Sequence, residues 1–337
     1  MNNANLKVLP SPPSLVKTIV AGFDNITNNI WLILFPIGLD LLIWFAPRLR
    51  LVNLINKLVG NMVTQTIEVA PDLETEEIIR AAEELWILAG ERINILISLR
   101  SYPVGIPSLM SSILPLNNPL GTPQFIDVDS VINVLILAIF LSLIGLIIGT
   151  LFFNSVCQAA VKNVVDWGKT IKDWPRLSLQ VVLLSLTWLL IIVGLSIPAS
   201  CVASLAAIGS LALGQCVFLI FGGFLIWIIF PLLFSPHGIF IGGRNVWSSI
   251  KQGFLITRLT LPTTSLFFLA ILLLIQGLGF LWRVPPEDSW LMLISTAGHA
   301  FITTSVLSAS FIYYRDAELW VQSVQKKEVE IPQEPAT

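Results

Sequence analysis

The sequence has little charge. Only 12 % of its 337 residues are Asp, Glu, Lys or Arg, whereas soluble domains carry about 25 %. Between Leu177 and Gly243 none of these four residue types occurs for 67 residues. As one helix that stretch would be about 100 Å long, roughly three times the hydrocarbon thickness of a bilayer. This absence excludes a water-soluble globular protein. It predicts an all-α polytopic membrane bundle with the lipid bilayer as its partner.

The low net charge and the few cysteines and histidines argue against further classes of protein. The net charge is −2, so nothing in the composition favours a nucleic-acid partner. The cysteines, Cys157, Cys201 and Cys216, are three in number and lie in or beside apolar segments, which predicts no disulfide framework. There are two histidines, and the sequence contains no HExxH, CxxC, P-loop or GxSxG motif. We therefore predict a non-enzymatic protein without a metal or a cofactor.

The apolar runs predict six transmembrane helices. Pro198 divides the longest run into two spans at about residue 200, because proline tends to break a helix. The predicted spans are about Ile30–Ala46, Val131–Phe153, Leu179–Ile197, Ala203–Phe234, from Pro262 to Trp282 and from Asp288 to Tyr314. The resulting segments are a tail with an interfacial helix (1–29), the first span (30–46), a cap (47–130), a five-helix region (131–314) and a second tail (315–337).

The cap is the one substantial region outside the predicted spans. Apolar residues recur at helical spacing from Leu51 to Val63, which predicts an amphipathic helix over about 51–67. A second helix is expected over about 73–99, because Asp72 can cap it and acidic residues follow. Five prolines between residues 101 and 125 predict an extended loop. We expect the whole region to cover the outer face of the bundle.

Basic residues in short loops predict the orientation. They concentrate in the loop between spans two and three, in the loop between spans four and five and after span six; these residues are Lys162, Lys169, Lys172, Arg176, Arg244, Lys251, Arg258, Arg315, Lys326 and Lys327. We therefore expect a multi-pass protein of the plasma membrane with both termini in the cytoplasm. Arg48 and Arg50, on the outer side of the first span, are the discordant pair.

A short pattern also suggests an internal repeat. Ile19-x-x-Gly22-Phe23 precedes the first span, and Ile250-x-x-Gly253-Phe254 precedes the fifth. A weaker counterpart, Lys169 to Trp174, precedes the third. The pattern is compatible with three copies of an interfacial helix plus a helical hairpin, but any interfacial helix has a similar composition.

Two ionisable residues inside the spans are the candidate intramembrane polar sites. Asp40 is the one acidic residue within a predicted span, and a carboxylate in hydrocarbon is costly and indicates function by default. It lies about 9 Å from the outer end of its helix, where an ion pair or a hydrogen-bonded anchor competes with a proton or ion relay. His299 lies near the middle of the sixth span, where a hydrogen bond to a neighbouring helix competes with proton transfer.

Small residues at four-residue spacing are the candidate helix-packing positions. Small side chains let two helix backbones approach, and hydroxyl groups hydrogen-bond across the contact. Such residues occur in the second, fourth and sixth spans: Gly145 and Gly149; Ala206, Ser210 and Gly214; Thr296, Ala300, Thr304 and Ser308. We expect them to serve internal packing or association with another copy or another membrane subunit, in preference to lining a pore.

Two resemblances follow from longer segments. GFDNITNNIWLILFPIGLDLLIWFAPRLR, with the later SYPVGIPSLM, resembles a set of uncharacterised bacterial multi-pass membrane proteins, over the N-terminal third of the chain. NVWSSIKQGFLITR and the apolar span after it are more loosely similar to the membrane domains that accompany some glycerophosphodiester phosphodiesterases. These resemblances imply a bacterial membrane protein. The chain has no phosphodiesterase catalytic domain, so that activity is not implied.

Two functions stay open, and a third, an intramembrane enzyme, has the least support because no catalytic motif is present. The leading hypothesis is a non-enzymatic membrane scaffold or accessory subunit. The alternative is a small transporter or channel for a lipid or an apolar solute, using Asp40 and His299. A transporter needs polar groups that converge near the midplane, so a cavity that contains both residues would favour the alternative.

Overall fold

The computed structural model describes residues 12–69 and 73–330, and this part of the chain is an all-α bundle, as predicted. Two short 3-10 turns, Ile30–Ile33 and Ile95–Leu99, interrupt it, and one pair of short strands lies at its edge. The α-helices in chain order are α1 (Leu15–Asn28), α2 (Leu34–Phe45), α3 (Val52–Val69), α4 (Leu73–Arg92), α5 (Met110–Ile113), α6 (Val131–Lys162), α7 (Trp167–Gly209), α8 (Leu211–Leu232), α9 (Ser235–Gly242), α10 (Val246–Leu259), α11 (Leu261–Trp282) and α12 (Met292–Glu330).

Five segments among the described residues are long and apolar enough to cross a membrane. They are Val131–Lys162, Trp167–Gly209, Ala212–Gly242, Leu261–Trp282 and Met292–Lys326. A sixth is possible only if α1 and α2 together count as one broken span, because the two helices meet at 92°.

The first span therefore differs from the straight helix predicted over residues 30–46. The helix breaks at Asn29, which leaves the helical conformation (φ −126°) and whose side-chain amide donates to the Asn25 carbonyl at 3.0 Å. After the 3-10 turn, α2 has only 12 residues, or about 18 Å, which is less than the hydrocarbon thickness of about 30 Å. Meanwhile α1 packs closely on α12: a Cβ atom added at Gly22 would lie 2.6 Å from Ala309 Cβ.

The turn in the long uncharged stretch lies at Ser210 instead of residue 200. Helix α7 continues through Pro198 for 43 residues, since an isolated proline is tolerated within a membrane helix. The extended backbone of Ser210 (φ −167°, ψ 134°) ends it. Ala206, Ser210 and Gly214 consequently do not lie on one helix as expected. Gly214 instead lets α8 approach α7, since a Cβ atom there would lie 2.7 Å from Ala207 Cβ.

The cap region contains both expected helices. Helices α3 and α4 pack together, and a Cβ atom added at Gly90 would lie 2.9 Å from Ile55 Cδ1. Helix α4 ends at Arg92 instead of about residue 99, because Asn94 is extended and its side chain accepts from the backbone of Leu96 at 3.2 Å. Strands β1 (Arg48–Arg50) and β2 (Phe125–Asp127) pair in parallel. They join the beginning of the region to its end.

The proline-rich segment is the main departure from the expected cap. We expected an outer loop, but residues 95–113 insert between α2 and α6. A Cβ atom added at Gly145 would lie 2.2 Å from the Leu99 carbonyl oxygen, and one at Gly149 would lie 2.9 Å from Gly105 Cα. Gly145 is 14 residues, or about 21 Å, from the first residue of α6. The inserted loop (residues 95–113) thus reaches the middle of the membrane-spanning part of the bundle.

The suggested repeat is only partly reproduced. Helices α1 and α10 each have 14 residues and each precede a break before the next apolar helix. The third counterpart, Lys169 to Trp174, lies within the uninterrupted helix α7, so it lacks that break.

Candidate functional site

Asp40 anchors the inserted loop. The side chain is fully buried, and its carboxylate accepts from the Ser108 hydroxyl at 2.5 Å. It also accepts from the backbone amides of Leu109 and Met110 at 3.1 and 3.0 Å. These donors lie where α5 begins, so the carboxylate satisfies amide groups that have no acceptor within the helix. The contacts fit a hydrogen-bonded anchor.

Arg100 lies within the inserted loop and cross-links it, and sequence reasoning did not identify this residue. Its guanidinium donates to the Ser111 hydroxyl at 2.9 Å and to the Ser108 carbonyl at 3.4 Å. Among the described residues Arg100 forms no ion pair. A guanidinium has five N–H donors, so part of its capacity is free. The sequence feature that could have identified Arg100 as a candidate is its position between the apolar segments 95–99 and 103–107.

Arg100 borders a cleft of about 320 Å³ inside the bundle. One wall is the inserted loop, and the opposite wall is formed by the middle of α11 and by α12. The lining residues are Arg100–Pro103, Gly105–Pro107, Phe153, Leu233, His237, Phe268, Ile271, Ile275, His299, Thr303, Val306, Leu307 and Ser310. Tyr102 is 67 % exposed, so the cleft opens beside it to the surface of the bundle.

Both histidines of the chain line this cleft, although only His299 was a predicted site. His237 lies on α9, and its Nε2 is 2.8 Å from the Ser310 hydroxyl. His299 lies on α12, where its buried Nδ1 has no hydrogen-bond partner. Asp40 is not among the lining residues. The cleft thus brings together His299, His237 and Arg100, but it does not contain the predicted pair of Asp40 and His299.

The imidazoles do not form a recognisable metal centre. Within residues 12–69 and 73–330, no group of three or more His, Cys, Asp and Glu side chains is arranged to hold a metal ion. A neutral imidazole can still donate or accept one hydrogen bond at each nitrogen. The cleft therefore offers one permanent cation, two imidazoles and the hydroxyl groups of α12 within largely apolar walls.

The four small residues of α12 that were predicted as packing positions lie outside the cleft lining. Thr296, Ala300, Thr304 and Ser308 are all buried. The Ser308 hydroxyl hydrogen-bonds with the side chain of Asn25 at 2.7 Å, and this contact fixes α1 on α12. The expected role in helix packing is thus compatible with the position of Ser308.

The basic segments meet at the opposite end of the bundle. Arg244, between α9 and α10, forms an ion pair with Glu318 of α12 and donates to the Tyr314 hydroxyl at 3.3 Å. The hydrogen bond with Glu318 raises the pKa of Arg244. Nearby, Arg176 of α7 donates to the Gly243 carbonyl at 2.8 Å. These contacts join the beginning of α7, the end of α9 and the C-terminal half of α12.

Comparisons with known proteins supply no relative: no protein-family model, curated protein or solved structure matches the chain.

Proposed function

We propose that this chain is a non-enzymatic membrane protein that binds a single-chain anionic amphiphile from the bilayer in the cleft between the inserted loop, α11 and α12. The observation that carries the proposal is the position of Arg100 at the wall of an apolar cleft within the spanning region. An ionisable residue at that depth indicates a functional site by default, and small-molecule sites combine apolar walls with a few placed polar groups.

The volume and the apolar lining of the cleft favour a ligand with a single hydrocarbon chain. Its volume of about 320 Å³ is at the lower end of the range of about 300–1,000 Å³ that is typical of ligand sites. Phe268, Ile271 and Ile275 offer apolar contacts for a hydrocarbon chain. The opening beside Tyr102 gives such a molecule a lateral path from the lipid.

The charge of the cleft favours an acidic head group. The free donors of Arg100 and the unpartnered Nδ1 of His299 can bind a carboxylate or a phosphate. Asp40 takes no part in this binding. It positions the inserted loop, because its acceptors are already engaged by Ser108, Leu109 and Met110.

The scaffold or accessory-subunit function is the second candidate, and the hairpin of α7 and α8 favours it. Helix α7 is about 65 Å long by helical rise, which exceeds the thickness of the bilayer. The hairpin must therefore tilt strongly in the membrane or extend beyond it. Its outer part exposes large apolar side chains, among them Ile197, Leu205, Phe218 and Leu219. Another membrane helix, from a partner or a second copy, would bury this surface. For either function we propose the plasma membrane, with both termini cytoplasmic.

Photolabelling tests the amphiphile proposal. The purified protein in lipid nanodiscs is incubated with a diazirine-bearing fatty acid, irradiated and mapped by peptide mass spectrometry. We expect saturable labelling of residues 100–107 and of the middle of α11, with competition by unlabelled fatty acid. Labelling that is confined to the lipid-facing surface of the α7–α8 hairpin and does not saturate would overturn the proposal.

A further inference from the structure

A second cavity lies at the basic end of the bundle, beside the C-terminal part of α6. It has a volume of about 290 Å³. The end of α6, the beginning of α7 and the end of α9 surround it. The lining residues are Asn154, Cys157, Gln158, Val161, Lys162, Lys169, Asp173, Arg176, Leu177 and Ile239–Gly243. It shares no lining residue with the cleft, so it is a separate site.

The charges around this cavity do not balance. Lys162, Lys169 and Arg176 contribute three positive charges, and Asp173 is the one carboxylate among the lining residues. Within the described part of the chain, none of these three cations forms an ion pair. Arg176 uses one N–H group on the Gly243 carbonyl, which leaves other donors free. The lining residues therefore have an excess of two positive charges, and the Asp166 carboxylate beside them caps α7.

Two of the three cations, Lys162 and Arg176, stabilise the C-terminal ends of helices, whereas Lys169 does not. Lys162 lies in the last turn of α6, and Arg176 hydrogen-bonds at the end of α9. Cations stabilise such negative C-terminal ends. Lys169 lies in the first turn of α7, where a cation does not stabilise the helix end. That end is already capped by the Asp166 carboxylate, which accepts from the Lys169 backbone amide at 3.0 Å. The Lys169 ammonium group therefore has no role at a helix end and is available to an anion in the cavity.

The floor of the cavity carries no charge, and the side chain of Gln158 there already has hydrogen-bond partners. The Gln158 amide nitrogen donates to the Thr170 hydroxyl at 2.8 Å, and its oxygen accepts from the Asp166 backbone at 3.0 Å. Cys157 and Leu177 are buried beside it. Recognition of an anion would therefore come from the three cations at the rim, above a floor that contributes shape and no charge.

Exposed apolar side chains surround the same rim and indicate that it faces lipid. Val164 is 66 % exposed, Ile171 60 % and Trp167 43 %. Apolar and aromatic side chains beside lysines are typical of the interface between hydrocarbon and head groups. Basic pockets between spanning helices on the cytoplasmic side bind anionic lipid head groups. A ligand at this place would come from the bilayer more readily than from bulk water.

We propose that the cavity between α6, α7 and α9 binds the phosphate head group of an anionic phospholipid of the inner leaflet, with Lys162, Lys169 and Arg176 as its ligands. The phosphate oxygens accept from the two ammonium groups and from the guanidinium. The acyl chains run along the exposed apolar surface near Ile171. Asp173 lowers the affinity, because its carboxylate repels the phosphate.

Lipid-dependent stability tests this site. Thermal unfolding is measured in nanodiscs of phosphatidylcholine alone and of phosphatidylcholine with phosphatidylglycerol, and affinity is measured by native mass spectrometry. The test variant is Lys169→Gln. The control is Lys172→Gln, which removes an exposed lysine of the same helix that does not line the cavity. We expect phosphatidylglycerol to stabilise the native protein and the control, and to bind about fivefold more weakly to Lys169→Gln.

Two further measurements distinguish a lost lipid contact from a folding defect and a lipid from free phosphate. Asp173→Asn should bind phosphatidylglycerol about fivefold more tightly, a gain that a folding defect does not produce; this variant decides the question if Lys169→Gln fails to fold. Inorganic phosphate in phosphatidylcholine nanodiscs should not stabilise the protein. Equal affinity of Lys169→Gln and Lys172→Gln, unchanged affinity of Asp173→Asn, or equal stabilisation by inorganic phosphate would each overturn the proposal.

Discussion

Ser108 donates a hydrogen bond of 2.5 Å to Asp40, a residue 68 positions earlier in the chain. This contact joins the inserted loop to α2 inside the bundle. It explains how irregular backbone lies at membrane depth. Such backbone is tolerated only where protein or a cavity surrounds it and satisfies its polar groups.

The first prediction concerns Asp40. Asp40→Asn should lower the free energy of unfolding by about 1–3 kcal/mol, because an amide has one acceptor oxygen where the carboxylate serves three donors. Unfolding in detergent, followed by circular dichroism, measures the change. The matched control is Asp24→Asn, at an exposed position, where we expect a change within about 0.5 kcal/mol. Equal stability of the two variants would contradict the anchor role.

The second prediction concerns the close contact of α6 with the loop. Gly145→Ala should destabilise the protein by about 1–3 kcal/mol, since the new methyl group would overlap the Leu99 carbonyl and force the backbones apart. Gly277→Ala in α11 is the control, because nothing lies within 4 Å of its added Cβ. Alanine is there expected to stabilise the helix by up to about 1 kcal/mol. A Gly145→Ala variant as stable as the native protein would argue against loop insertion.

The sequence predicts those parts of the fold that depend on local composition. A run of about 20 apolar residues indicates a span wherever it occurs, and so Val131–Phe153 and the segment from Pro262 to Trp282 lie within spanning helices as expected. The amphipathic spacing from Leu51 to Val63 likewise predicted α3. In each case the residues that decide the structure are neighbours in the chain.

The parts that sequence reasoning missed depend on distant partners. Prolines and polar residues between 101 and 113 look the same in an outer loop as in an inserted one. Only the contacts with Asp40, Gly145 and Gly149 distinguish the two, and each partner lies far away in the sequence. Gly145 and Gly149 also form the spacing typical of helix pairs, whereas here they admit a 3-10 turn and a loop. Arg100 was missed as a site for the same reason.

The third prediction concerns orientation. Reporter fusions after Trp174, Arg258 and Glu328 should report the cytoplasm, and a fusion at Asn117 should report the outside, because basic residues concentrate in the first three regions. Alkaline phosphatase, active outside, and green fluorescent protein, fluorescent inside, provide paired readouts. A cytoplasmic signal at Asn117 would reverse the proposed topology, and opposite signals at Trp174 and Arg258 would change the number of spans between them.

The fourth prediction concerns Arg244. Arg244→Gln should destabilise the protein by about 3 kcal/mol or more, because it leaves the largely buried Glu318 without its cation. The double variant Arg244→Gln/Glu318→Gln should recover part of that loss, since no charge then remains unpaired. A double-mutant cycle of unfolding free energies measures the coupling. Additive losses would show that the pair contributes no interaction energy.

The most direct test of the proposed function fills the cleft. Ile271→Trp places a large side chain in the cleft lining, and Leu273→Trp places the same side chain on the exposed surface of the same helix. Binding of a fluorescent fatty acid to each variant in nanodiscs is then compared with binding to the native protein. We expect Leu273→Trp to bind the fatty acid with native affinity. For Ile271→Trp we expect an affinity at least about tenfold lower, equivalent to a loss of ~1.4 kcal/mol of binding free energy. Equal binding by both variants would contradict an amphiphile site in the cleft.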